Sequence, residues 1–234
     1  MKARITIGIP CYYGVSFETL NDYMSFAYYL GRRYQEYEFF LAIKGKSEQF
    51  RARNAIVKAM LQTDSDYLLM LDDDHVIDFE HELVPSVKYE FLKALIGHLE
   101  EDPKKGIVGA LYVQRGGDCS PVIMSELNGN FYFLTPQEVS GGLQEVAVTG
   151  GGCMLLRRNV LEKIKEPWFE PESEAGFGTD IQICKKVRKL GYSVWCDTAI
   201  AIGHVKLERE VVLPSRVVLQ KEEENYNGKR SGVK

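Results

Sequence analysis

The chain has no Cys-x-x-Cys pair, no apolar stretch of bilayer length and no surplus of basic residues. Cys11, Cys119, Cys153, Cys184 and Cys196 are an odd set, which fits free thiols in a reducing cytosol better than a disulfide framework or a zinc site. Without a run of about 20 apolar residues, no segment reads as a transmembrane helix. The start Met1-Lys2-Ala3-Arg4-Ile5 enters a strand with no signal-peptide core. A cytoplasmic protein with no membrane partner is expected, in the cell or in a host cell. The formal charge of −4 and the pI near 5.7 argue against general attraction to nucleic acid, although a nucleic acid acceptor is not excluded. What is present is ordinary globular composition: 45% hydrophobic over 234 residues is enough for one full core. One domain is expected over 1–219, with a polar, flexible tail over 220–234.

The strongest single signal is Tyr67-Leu68-Leu69-Met70-Leu71-Asp72-Asp73-Asp74-His75, an apolar run that reads as a buried strand and stops in three acids. Such crowded carboxylates repel one another unless a cation sits among them. Strand alternation aims Asp72 and Asp74 to one side and Asp73 to the other. Two carboxylates converging on one point suit a hard divalent cation, Mn²⁺ or Mg²⁺, that keeps positions open for phosphate oxygens. The competing reading is a solvated acidic turn.

Upstream, Ile5-Thr6-Ile7-Gly8-Ile9 closed by Pro10 predicts a first strand, and ligands of open α/β sheets gather beyond such strand ends. Tyr12 and Tyr13 are therefore placed to stack on a base, or are ordinary loop aromatics. Ser16 or Thr19 is placed to cap a helix whose recurring Leu20, Tyr23, Met24, Ala27, Tyr28 and Leu30 are read as core. A second strand is predicted over 38–43. The next helix, 49–61, carries Arg51 and Arg53 in its first turns, where the dipole already favours an anion; a phosphate, an acidic neighbour or plain solvent would each suit them. Strand and helix alternate up to Leu71, which predicts right-handed crossovers and a mainly parallel sheet flanked by helices.

Downstream, a helix is predicted over 79–99 and a strand over 107–113. The Asn128-Gly129 pair signals a hairpin within a small antiparallel patch between Pro121 and Val148. Gly150, Gly151 and Gly152 precede a further strand, permitting either a tight turn or close approach of a ligand to the backbone. Trp168 is read as a sugar platform or a core anchor. Thr179 and Gln182 form a capping-box pattern that puts Asp180 at the first position of a helix, poised to accept a proton or merely to complement the dipole. His204 follows the last of two short strands, 192–196 and 199–202, as a structural residue or a further Mn²⁺ ligand.

Together, Ile7-Gly8-Ile9-Pro10, Arg51-Ala52-Arg53-Asn54, Leu71-Asp72-Asp73-Asp74, Gly150-Gly151-Gly152-Cys153, Pro167-Trp168-Phe169, Gly178-Thr179-Asp180 and Gly203-His204 resemble the GT-A fold glycosyltransferases, most closely the small family 2-like enzymes of viral and prokaryotic genomes. The motifs span almost the whole chain in the family's order. The resemblance implies a Rossmann-like α/β fold and a nucleotide-sugar donor, UDP being the family-level choice. It implies a Mn²⁺ or Mg²⁺ ion on Asp72 and Asp74 with His204 assisting, and donor contacts from Pro10, Tyr12, Arg51, Arg53, Asp72, Asp73, Gly151 and Gly152. It also implies Asp180 as catalytic base on an acceptor hydroxyl, with inversion. The family commonly has Glu-Asp where this chain has Thr179-Asp180, so the base is retained and its neighbour is not. That departure leaves a catalytically idle nucleotide-sugar or carbohydrate-binding module open. A nucleotidyltransferase is the other alternative, but it would carry a glycine-rich, basic loop after its first strand, which Cys11-Tyr12-Tyr13-Gly14 is not.

Overall fold

The computed structural model describes residues 2–12, 14–79, 88–116, 118–171, 178–205 and 211–212. Its first half alternates as the apolar periodicity requires: β1 (Ala3–Cys11), α1 (Phe17–Arg33), β2 (Tyr37–Gly45), α2 (Gln49–Leu61) and β3 (Tyr67–Leu71). β1 pairs in parallel with both β2 and β3. All five residues of β3 are buried, which explains a continuous apolar run without alternation, since both faces of the strand are covered. There follow β4 (His75–Val76), α3 (Phe91–Glu101), β5 (Lys105–Leu111), β6 (Ile123–Leu127), β7 (Asn130–Phe133), β8 (Leu143–Val146) and β9 (Val148–Thr149). The chain continues through β10 (Cys153–Arg157), α4 (Arg158–Leu161), α5 (Thr179–Lys189), β11 (Ser193–Ala201), β12 (Gly203–Val205) and β13 (Val211–Val212).

The seven-stranded central sheet has the order β2-β1-β3-β10-β5-β11-β8. Five strands run one way, while β10 is antiparallel to both its neighbours and β8 is antiparallel to β11. This is the mainly parallel sheet expected. Two small sheets accompany it, β13-β12-β4 and β7-β6-β9. The second is the expected antiparallel patch, its hairpin turning through Asn128 and Gly129 at φ 51° and 80°, the left-handed pair that a two-residue hairpin needs. One apolar cluster joins α2, α4 and α5 to one face of the sheet; the other joins α1 and α3 to the opposite face.

The insertion of β10 between β3 and β5 positions the site. Because Cys153 pairs with Leu71 in antiparallel register, the glycines before Cys153 lie beside the acids after Leu71. A backbone bond from the Asp72 N–H to the Gly152 carbonyl, 2.9 Å, fixes the two turns together.

Several elements differ from the sequence reading. In α1, Leu20, Met24 and Tyr28 are exposed, whereas Thr19, Asp22, Phe26 and Leu30 face inward. The Ser16 hydroxyl does cap this helix, accepting from the Thr19 N–H at 3.1 Å. The helix turns its polar Asp22 inward because that carboxylate accepts from the Ile77 N–H at 2.6 Å, the Asp78 N–H at 3.1 Å and the Tyr89 hydroxyl at 2.8 Å. These donors sit in and beside the segment after β4, and a buried donor left unpaired would cost ~1–3 kcal/mol. The helix predicted from residue 79 is observed from Phe91, after one tight turn at Lys88–Glu90; its expected positions 80–87 lie outside the described residues. The two strands predicted after Gly191 are one, β11, slipping register after Asp197, whose carboxylate accepts the Ala199 N–H. The tail over 220–234 lies outside the described residues.

Candidate active site

β3 stops at Leu71, so Asp72, Asp73 and Asp74 occupy a turn and not a strand. Alternation therefore does not hold, and the three carboxylates take three different partners. Asp72 meets Arg53 of α2, whose Nη2 donates to both carboxylate oxygens at 2.9 Å, and also accepts from Gln49 at 3.2 Å. Asp73 turns to the loop after β1, accepting the Tyr12 backbone N–H at 3.0 Å. Burial raises the Asp73 pKa, against the hydrogen bond from Cys11. Asp74 reaches toward β4 and β12. The Tyr23 hydroxyl of α1 secures the turn by donating to the Asp72 carbonyl at 2.6 Å.

Around Asp74 stand two imidazoles. His75 Nδ1 lies 3.1 Å from one carboxylate oxygen and His204 Nε2 lies 3.4 Å from the other. The two rings stack with centroids 4.6 Å apart, because β4 and β12 are antiparallel neighbours that pair His75 with His204. His204 Nδ1 is 2.8 Å from the Val113 carbonyl, which can only accept a hydrogen bond, so Nδ1 carries a proton and Nε2 is the nitrogen turned to Asp74. There Nε2 presents a lone pair to a metal ion or, as imidazolium, an N–H to Asp74. Burial pushes the His75 pKa down, and neighbouring His204 adds to it. His75 Nε2 has no hydrogen-bond partner among the described residues, so a proton there would be a buried unpaired donor, and without a metal the proton belongs on Nδ1, donating to Asp74. Burial alone would raise the Asp74 pKa, but the hydrogen bonds from His204 and His75 outweigh it and hold the carboxyl well below the usual range.

Among the described residues, Asp74, His75 and His204 form the group able to hold a metal ion, with ligand atoms within 4.8 Å of one another. Sequence reasoning assigned Asp72 to this group and omitted His75. Asp72 is held by a buried arginine instead, and His75, adjacent to the triplet, joins through β4 pairing. One carboxylate with two imidazoles suits Mn²⁺ better than Mg²⁺, which prefers oxygen and water.

The acids floor a cleft of about 730 Å³, of a size that holds a nucleotide-sized ligand, at the carboxyl ends of β1 and β3. Pro10, Tyr12, Asp72, Asp73 and Asp74 line it, as do Gln49 and Arg115. Arg51 and Arg53 are not among the described lining residues. Arg51 is exposed and pairs at 2.9 Å with Glu48, the N-cap of its helix. Arg53 is 2% exposed, donating to Asp72 and, at 2.7 Å, to the Thr179 hydroxyl. Burial would lower the Arg53 pKa, but Asp72 and Asp180 together raise it.

Gly151 and Gly152 are required by the protein's own side chains. A Cβ on Gly151 would come within 2.6 Å of Arg53, and one on Gly152 within 2.4 Å of His75. The Gly151 N–H donates to Asp180 at 3.1 Å, and the Gly152 N–H to the Tyr112 hydroxyl at 3.0 Å. Asp180 is thus tied to the acid turn through the glycine turn, beside the cleft and not on its lining. The predicted cap differs: Gly178, at φ 81°, is the N-cap of α5, which shifts Thr179 and Asp180 one position into the helix. Thr179 is buried, its hydroxyl oxygen accepting from Arg53. Trp168 and Phe169 are buried core residues, the indole N–H donating to the Leu161 carbonyl at 2.9 Å.

Fold and site together define a GT-A-like, Rossmann-type α/β protein with an acid-floored cleft at its strand ends. Solved structures share this fold. Protein A197 from STIV matches with a TM-score of 0.55 and 18% identity, over 91% of this chain and 94% of that one. A mannosyltransferase of Pyrobaculum calidifontis, in complex with GDP-Man and Mn²⁺, matches with a TM-score of 0.52 and 13% identity over 86% of this chain. This chain spans 56% of that enzyme's length. CMP:2-keto-3-deoxy-manno-octonic acid synthetase complexed with CTP matches with a TM-score of 0.50 and 14% identity, over 97% and 100% of the two chains. No protein-family profile and no curated protein matches the chain. Among the described residues, no helix is long and apolar enough to cross a membrane.

Proposed function

We propose that this protein is a metal-dependent glycosyltransferase that moves a sugar from a nucleoside-diphosphate sugar, UDP-linked by family resemblance, to an acceptor hydroxyl with inversion. The supporting observation is the meeting of Asp74, after β3, with His204 of β12 beside a cleft of about 730 Å³. Asp74, His204 and His75 would hold Mn²⁺. When bound, the ion supplies charge stabilisation to the departing diphosphate. Pro10 and Tyr12 line the cleft where a base would sit, and Asp73 holds the Tyr12 backbone in place. Arg53 keeps Asp72 paired and fixes Thr179 at the start of α5, which sets Asp180 against the glycine turn. Asp180 accepts the acceptor's hydroxyl proton as its oxygen attacks the anomeric carbon.

The experiment is incubation with a panel of nucleotide sugars and Mn²⁺, following release of sugar and nucleoside diphosphate. Asp180→Asn is expected to bind nucleotide nearly as the parent does and to lose about two orders of magnitude in transfer or donor hydrolysis. Unchanged turnover by that variant removes Asp180 from the mechanism. Binding without turnover by the parent favours an idle module, and pyrophosphate release from a nucleoside triphosphate favours nucleotidyl transfer.

A further inference from the structure

The cleft has one basic side chain among its described lining residues, Arg115, on the segment between β5 and β6. Its Nη1 lies 2.8 Å from Asp74 Oδ2, the same oxygen that faces His204 Nε2 at 3.4 Å. A guanidinium and a metal ion placed between Asp74 and His204 therefore compete for one oxygen. We propose that Arg115 is the resident counter-ion of Asp74 and that, once a divalent cation takes that carboxylate, Arg115 grips the diphosphate of the ligand. The inference rests on the nucleotide-dependent reading above and adds the residue that couples metal to nucleotide.

Three observations carry it. The Arg115 side chain is 46% exposed, whereas its backbone is anchored: the Gln114 N–H donates to the Ser120 carbonyl at 3.0 Å, Val113 bridges to Pro121, and the Val113 carbonyl holds His204. The long arm can leave Asp74 without backbone motion. Next, the other two floor carboxylates are already engaged, Asp72 by Arg53 and Asp73 by Tyr12 and Cys11. A displaced guanidinium at this floor finds its new partner in an incoming anion. Finally, the planar fork of arginine matches the oxygens of a diphosphate, which a point charge would not. Metal and nucleoside diphosphate then bind cooperatively, because each removes an obstacle to the other.

The test is Mn²⁺ titration by electron paramagnetic resonance on the full chain and on Arg115→Ala and Arg115→Lys. It is followed by calorimetric titration with UDP, GDP and CDP in turn at saturating Mn²⁺. A half-exposed ion pair is worth a few-fold in an equilibrium constant, so Arg115→Ala is expected to bind Mn²⁺ alone roughly two- to fivefold more tightly. The same variant is expected to bind the nucleoside diphosphate roughly tenfold or more weakly, since a charge-assisted bidentate contact is lost. Arg115→Lys falls between, and the metal-free variants unfold within about 4 °C of the parent, the shift that losing a half-exposed ion pair allows. Equal or weaker Mn²⁺ binding by Arg115→Ala overturns the counter-ion role, and unchanged diphosphate affinity overturns the grip. Absence of Mn²⁺ and nucleotide binding in the parent itself overturns this inference and the proposed function together.

Discussion

Replacing Arg53 by Met separates an internal ion pair from a donor-binding residue. Arg53 is 2% exposed, and its guanidinium makes two bonds to Asp72 and one to Thr179, so the substitution leaves a carboxylate without its cation. Removing one member of a buried pair costs about 3–5 kcal/mol. The Asp72 side chain is 13% exposed at the cleft floor, where water relieves part of the cost, which places the loss near the lower end. Methionine fills most of the vacated arm, so little cavity cost is added. At about 2–4 °C per kcal/mol for a chain of this size, the melting temperature should fall by about 6–12 °C. The double variant Arg53→Met with Asp72→Asn removes the unpaired charge and should recover ~1–2 kcal/mol relative to the single variant. Calorimetry or denaturant unfolding without any ligand measures both. A loss below about 2 °C, or two substitutions that simply add, would refute the reasoning. A residue whose work is on donor phosphate would leave ligand-free stability intact.

Thiol accessibility tests the packing around the cleft. Cys153, Cys184 and Cys196 are buried, burial pushing Cys184 and Cys196 up to about 12, and Cys119 is buried as well. Cys11, partly exposed in the cleft, should be the one thiol a disulfide reagent titrates in the native protein, slowed by Mn²⁺ with nucleoside diphosphate; two or more fast thiols would contradict this. The depressed His75 sets a pH dependence. Its unfolded form binds a proton near pH 6.5 and its folded form only lower, so metal-free stability should fall as pH drops below about 6.5, by at most ~1.4 kcal/mol per pH unit. His75→Asn should flatten that slope, and an unchanged slope would dissociate His75 from it.

Much of the fold was legible because burial leaves a periodic trace. The fully buried β3 reads as an unbroken apolar run, and Asn128-Gly129 declares its hairpin through backbone sterics alone. α1 misled because exposed Leu20, Met24 and Tyr28 carry the same spacing as a core stripe, while the inward Asp22 is recognisable only from the backbone donors it serves. Arg51 and Arg53 are alike in sequence, two residues apart on one helix. Their positions on the cylinder send one to solvent and the other under the glycine turn.

By itself the sequence determined the alternation of strands and helices and the acid-rich end of β3, because these follow from local periodicity and backbone chemistry. Tertiary structure alone decided which acid meets which partner. Antiparallel β10 brings the glycine turn against Asp72, and the pairing of β4 with β12 stacks His75 on His204 beside Asp74. The physical reason is distance along the chain. Asp74 and His204 are 130 residues apart, and no local pattern encodes which strands will lie side by side once both faces of the sheet are buried.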